Sequence, residues 1–159
     1  MTIRELIDNQ KDGWSLDQRF YTDPEIYQLE LEHIITQNWI FVGHESQIPN
    51  EGDFRVISVA NESAIIVRTK DGTIKAYANV CRHRGSLVCL EDQGTTRRFS
   101  CPYHGWVYNL DGELTAARNM PDDFDKSDFS LFELSIDILY GLVFVCFSDD
   151  PPSWKGAKK

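Results

Sequence analysis

The sequence predicts a mainly β fold, an antiparallel β-sandwich or small barrel preceded by one α-helix, and three features predict it. From Gly43 onward, short runs of β-branched and aromatic residues alternate with turn residues. Two Asp-Gly pairs, Asp71-Gly72 and Asp111-Gly112, each separate two such runs, which is the pattern of a tight hairpin. Ahead of them, Asp23-Pro24-Glu25 reads as a helix start, with an N-cap acid, proline at the first helical position and glutamate in the first turn.

The helix is predicted at about 24–37, with Ile26, Leu29, Ile34, Ile35 and Trp39 roughly on one face. Pro49 to Gly52 then precedes a strand at Phe54 to Ala60. Asn61-Glu62 precedes Ser63 to Thr69, and Asp71-Gly72 precedes Thr73 to Asn79. The second hairpin joins Trp106–Asn109 to Glu113–Ala116. The last strands, Phe132 to Ile138 and Leu142 to Phe147, turn at Leu139 to Gly141; the second is nearly all apolar, as a strand buried on both faces is. Asp149-Asp150-Pro151-Pro152 is a stiff exit, since neither proline can donate to a sheet.

Composition narrows the function classes. The 159 residues are 42% hydrophobic and 12% aromatic, enough for one globular core and too apolar for a disordered chain. The net charge of −9 argues against a nucleic-acid partner, whose phosphates require a basic face. The charge is uneven: residues 1–53 hold eleven acids against three bases, whereas 81–118 are slightly basic through Arg82, Arg84, Arg97, Arg98 and Arg118. The longest apolar run, Leu142 to Phe147, is far too short for a membrane span, and the acidic N-terminus is not that of a signal peptide, so a cytoplasmic protein is expected.

In that compartment four cysteines argue for metal binding or buried thiols before disulfides. Cys81-Arg82-His83 and Cys101-Pro102-Tyr103-His104 are separated by seventeen residues, each pair following a predicted strand. A thiolate and an imidazole two or three residues apart on a tight loop can turn toward one metal, and two such loops can face each other across a cluster. Gly85 and Gly105 each stand four residues after the cysteine of their loop, where positive φ lets backbone amides point inward. Zinc also takes two Cys and two His, but the single residue between Cys81 and His83 is tight for a zinc pair. Cys89 and Cys146 fit no cysteine-cluster spacing and read as buried free thiols.

The pairing C-x-H, seventeen residues, C-x-x-H resembles the signature of Rieske proteins, which hold a 2Fe-2S cluster with two cysteines on one iron and two histidines on the other. The wider text, CRHRG and CPYHGWVYNLDGEL, is similar to the large (α) subunit of ring-hydroxylating and related Rieske non-haem iron oxygenases. FYTDPEIY, NWIFVGHESQIP and EGDFRV extend the resemblance over most of residues 14–147.

That resemblance implies a Rieske-type antiparallel β-sandwich carrying a cluster-binding subdomain of two hairpin loops. It implies a helical extension at 1–43, a Rieske domain at 44–150 with the subdomain at about 80–116, and a linker or tail at 151–159. It also implies cluster ligation by Cys81, His83, Cys101 and His104. The expected role is one-electron transfer from an NAD(P)H-dependent reductase or ferredoxin to a mononuclear iron. In the family that iron sits in a C-terminal catalytic domain, reached in a neighbouring subunit of a homotrimer, and often serves aromatic hydrocarbon catabolism. The chain is thus expected to be the N-terminal domain of a dioxygenase or monooxygenase α subunit. The alternatives are a stand-alone Rieske ferredoxin, which usually lacks the N-terminal helix, and a redox-sensing or assembly module. Mononuclear iron takes two His and a carboxylate. Only His33 and His44 remain, eleven residues apart, and both read as structural or exposed.

Two neutral imidazoles leave an oxidised 2Fe-2S centre uncharged where four thiolates leave a dianion, which raises the potential into a window of about −150 to +300 mV. High-potential Rieske proteins add a disulfide between the loops and a serine that bonds a sulfide. At the matching positions this sequence has Ser86, Tyr103 and Trp106, so a potential near the low end is expected, while Tyr108 matches a tyrosine of the family. Tyr103, Trp106 and Tyr108 read as packing or as shields of the cluster. Arg82 and Arg84, on a loop expected to be exposed, read as solvated, as paired across an oligomer interface, or as docking groups for an acidic redox partner.

Overall fold

The structure is a computed structural model that describes residues 2–121 and 123–154. The last five residues of the expected tail at 151–159 therefore lie outside the described residues. Three short helices open the chain, α1 at Ile3–Asp8, α2 at Arg19–Thr22 and α3 at Pro24–Glu30. Asp23 caps α3 as predicted, its carboxylate accepting the Glu25 N–H at 2.9 Å with Pro24 at the first position. The α-helix does not continue to 37. It widens into a π turn at Leu31–Ile35, where both the N–H and the hydroxyl of Thr36 donate to the Leu31 carbonyl. Ile26 and Leu31 are buried and Thr36 half-buried, whereas Leu29, Ile34 and Ile35 are exposed, so the predicted apolar face is only partly the inward one.

Ten strands follow: β1 Ile40–His44, β2 Asp53–Val59, β3 Glu62–Arg68, β4 Ile74–Ala78, β5 Gln93–Thr95, β6 Phe99–Ser100, β7 Val107–Tyr108, β8 Leu114–Ala116, β9 Glu133–Leu139 and β10 Leu142–Cys146. Seven form one antiparallel sheet in the order β1-β10-β9-β4-β3-β2-β5, and β6-β7-β8 form a second, small sheet. The fold is thus mainly β and antiparallel. The predicted strands from Phe54 to Asn79 and the two closing strands are present within one or two residues of their expected ends. The Leu139–Gly141 turn is sharp because Tyr140 and Gly141 both have positive φ.

The large sheet curls until its faces enclose two cores. Ile66 of β3 shares a cluster with Val143 and Val145 of β10, three strands away in the hydrogen-bond order. On the opposite face, Ile65 and Val67 pack with Phe54 and Tyr77 against the small sheet and the two Cys-His loops. The strand buried on both faces is therefore β3, where Ala64, Ile65, Ile66 and Val67 are all buried, and not β10. In β10 only Val143, Val145 and Cys146 are buried; Phe144 meets Phe41 and Trp154 on the outer side, and Leu142 is exposed. An apolar run is ambiguous because sequence does not reveal how many layers cover it. Among the described residues, no helix is long and apolar enough to cross a membrane.

Candidate metal centre

The two Cys-His loops are copies of one six-residue backbone scaffold. In the first, Cys81 N–H donates to the Ser86 carbonyl at 2.8 Å and Gly85 N–H to the Cys81 carbonyl at 2.9 Å. In the second, Cys101 N–H donates to the Trp106 carbonyl at 2.8 Å and Gly105 N–H to the Cys101 carbonyl at 3.0 Å. Gly85 and Gly105 have φ of +70° and +71°, and a Cβ at either would meet nothing within 4 Å. Glycine is needed there for its left-handed backbone and not for space. The unequal spacings C-x-H and C-x-x-H thus describe equal loops whose histidine stands third in one and fourth in the other.

This scaffold sorts the donors by type. Cys81 and Cys101 are buried at the base, close enough that Cys101 adds to what burial chiefly does in raising the Cys81 thiol pKa, while a Tyr108 hydrogen bond lowers it. The imidazoles stand above, His83 half-buried and His104 exposed, with ring centroids 4.6 Å apart at 73°. Partial burial, together with His104 and Arg84, lowers the His83 pKa and favours the neutral ring that binds metals. Its Nδ1 is buried without a hydrogen-bond partner. Two thiols on one side and two imidazoles on the other suit a unit with two metal atoms. Among the described residues, no three His, Cys, Asp or Glu side chains surround a single ion-sized point.

The surroundings divide the site into a closed and an open side. The Trp106 indole, 1% exposed, lies flat on His83 with centroids 4.8 Å apart at 14°. Phe124 and Phe129 meet the indole edge-on at 5.6 and 5.7 Å. On the other side, the exposed Tyr103 ring lies against the exposed His104, with centroids 3.8 Å apart. Tyr108 is wholly buried, and its hydroxyl lies 3.4 Å from Cys81 Sγ. Burial pushes that phenol far above its usual pKa, so it remains a hydrogen-bond donor.

Of the other residues singled out from sequence, Cys146 is buried and Cys89 half-buried, both as free thiols. His33 is exposed in the π turn, and His44 at the end of β1 accepts the Ser46 N–H with its Nδ1. Arg84 is exposed, but Arg82 turns inward, contrary to the expectation for an exposed loop. Sequence reasoning passed over Asn79, which is 1% exposed. Its Oδ1 accepts the N–H groups of Val88 and Cys89 at 3.0 and 2.8 Å, and its Nδ2 donates to the Cys89 carbonyl at 2.8 Å. An amide closing a mostly apolar strand directly before Val80-Cys81 was the available signal.

A family model described as the Rieske 2Fe-2S domain matches residues 38–132. The chain is 37% identical over 150 residues to the glycine betaine monooxygenase oxygenase subunit of Chromohalobacter salexigens, covering 94% of this chain and 34% of that one. It is 36% identical over 163 residues to the biphenyl dioxygenase α subunit of Metapseudomonas furukawaii, again covering 94% and 34%. Among solved structures, naphthalene 1,2-dioxygenase from Rhodococcus sp. bound to indole superposes with a TM-score of 0.86 at 32% identity, over 96% of this chain and 36% of that one. The chain thus spans about a third of the length of the curated relatives it matches.

Proposed function

This chain belongs to the Rieske 2Fe-2S domain family, and we propose that Cys81, His83, Cys101 and His104 hold its cluster for one-electron transfer within an oxygenase α subunit. The observation that carries the reading is the duplicated loop scaffold, which sets two buried thiols beneath two imidazoles 4.6 Å apart. The donor set fits the group: two thiolates and two neutral rings match its ligand types, and the free Nδ1 of His83 supplies one of them. When bound, a Rieske cluster accepts and releases single electrons at a higher potential than an all-cysteine one.

The chain's own residues shape that chemistry. Cys81 and Cys101 put negative charge at the buried base, where Tyr108 donates toward sulfur. Trp106, Phe124 and Phe129 exclude water from the His83 side, which keeps the local dielectric low. His104 and Tyr103 face outward and form the side through which an electron partner is reached.

The partners belong to the same proposal. A reductase or ferredoxin would supply electrons, and a mononuclear iron in a catalytic domain, in the same or a neighbouring α subunit of a homotrimer, would receive them. Among the described residues, His33 and His44 do not converge with a carboxylate, and none is assigned to that iron. The relatives are named for glycine betaine and biphenyl, unlike substrates, so the shared portion supports electron delivery and not a particular substrate. Similarity across 94% of the chain, which must include α2 and α3, favours an oxygenase component over a free ferredoxin.

The test is direct. Purified protein is expected to be red-brown with two irons and two sulfides per chain, and Cys81→Ser or His104→Ala should bleach it. A colourless protein holding one zinc would overturn the assignment.

A further inference from the structure

Arg82 holds two elements at once. Its Nη1 donates to the Ser130 carbonyl at 2.7 Å, its Nη2 reaches the Asp128 carbonyl at 3.4 Å, and the guanidinium lies 4.0 Å from the Phe132 ring centroid. All three partners belong to the segment leading from the turn at Lys126–Phe129 into β9, which is anchored in the large sheet through β4 and β10. The backbone N–H of the same arginine donates to the Tyr108 hydroxyl oxygen at 3.1 Å. A phenol oxygen that accepts an N–H keeps its own hydrogen for another partner, and Cys81 Sγ lies 3.4 Å away. With Cys81 a thiolate ligand, which has no hydrogen to give, the chain of bonds runs from peptide N–H to phenol oxygen and from phenol O–H to sulfur.

We propose that Arg82 is a positioning residue for the cluster: by gripping residues 128–132 it fixes the peptide that aims the Tyr108 hydroxyl at Cys81 Sγ, which raises the reduction potential. The role rests on the ligand assignment above. A hydrogen bond to a thiolate ligand strengthens as that ligand becomes more electron-rich, so it favours the reduced state. The guanidinium charge also favours reduction directly, but that contribution does not pass through Tyr108. The two are separable.

The experiment compares midpoint potentials and EPR g-values of the loaded wild-type chain with those of Arg82→Gln, Tyr108→Phe and the double variant. Arg82→Gln is expected to shift the reduction equilibrium toward the oxidised form by up to about tenfold, which is 59 mV for one electron. Arg82→Lys, which keeps a donor and a cation over Phe132, should recover most of the shift. In the Tyr108→Phe background Arg82→Gln should produce only the smaller residual shift that loss of the guanidinium charge causes directly. Phe132 is 55% exposed and its loss is tolerable to the fold, so Phe132→Leu gives a second route with a smaller shift of the same sign. An Arg82→Gln shift equal with and without the tyrosine hydroxyl, or no shift in the wild-type background, would overturn the role. Wild-type protein without iron or a Rieske EPR signal would instead overturn the ligand assignment itself.

Discussion

The imidazole of His83 and the indole of Trp106 are stacked, nearly parallel rings, centroids 4.8 Å apart at 14°, although the residues lie on different loops. The stack places the largest buried side chain of the protein directly against a proposed ligand. Trp106→Ala removes that contact and leaves a void between His83, Phe124 and Phe129. The substitution should cost about 3–5 kcal/mol of stability, read by chemical denaturation, and should accelerate loss of the visible absorbance. Unchanged stability would mean that the neighbouring rings close the gap.

The potential is expected near the low end of the window of about −150 to +300 mV. Cys81, Cys89, Cys101 and Cys146 are free thiols, so no disulfide ties the loops, and Trp106 stands where a high-potential protein has a serine hydroxyl. A redox titration with a midpoint well above zero would contradict this.

Asn79 bonds two N–H groups and a carbonyl of the segment Val88–Cys89, just beyond the first Cys-His loop. Asn79→Leu leaves those backbone groups buried and unpaired at about 1–3 kcal/mol each, before any relaxation. A loss of about 3 kcal/mol or more in urea denaturation is expected, together with weaker cluster retention. A change below about 0.5 kcal/mol would show that water or backbone shifts replace the amide.

The Asp71 carboxylate accepts from the Thr69 hydroxyl at 2.6 Å and from the N–H and hydroxyl of Thr73 at 3.0 and 2.8 Å, which holds its pKa down to about 2 from 3.8. A depressed folded pKa means that the turn's contribution is complete above the unfolded value and is lost as pH falls toward about 2. Denaturation midpoints measured from about pH 5 down to pH 2 should therefore fall less steeply in Asp71→Asn than in wild type. Parallel profiles would exclude Asp71 as a contributor to acid sensitivity.

Local chemistry was legible wherever it is short-ranged. The Asp23 cap, the Asp71-Gly72 hairpin and the spacing of the Cys-His pairs are read within a few residues because caps, turns and ligand loops are local devices. Thr2 and Glu5 form a capping box for α1 that the same logic finds, although it was passed over. The edge strand β5 and the two-residue strand β6 left no periodic pattern, since a period cannot be read from two or three residues.

By itself, the sequence determined the class of fold and supplied the four proposed donor residues, with the chemistry that two thiols and two imidazoles at that spacing can support. Only the tertiary structure decided that β3 and not β10 is covered on both faces, that Phe124 and Phe129 close the His83 side, and that Arg82 points inward. The reason is physical. Ligand type and turn geometry are written in neighbouring residues, whereas the partner of an apolar face or of a charged side chain is chosen by whichever distant segment the curl of the sheet brings against it.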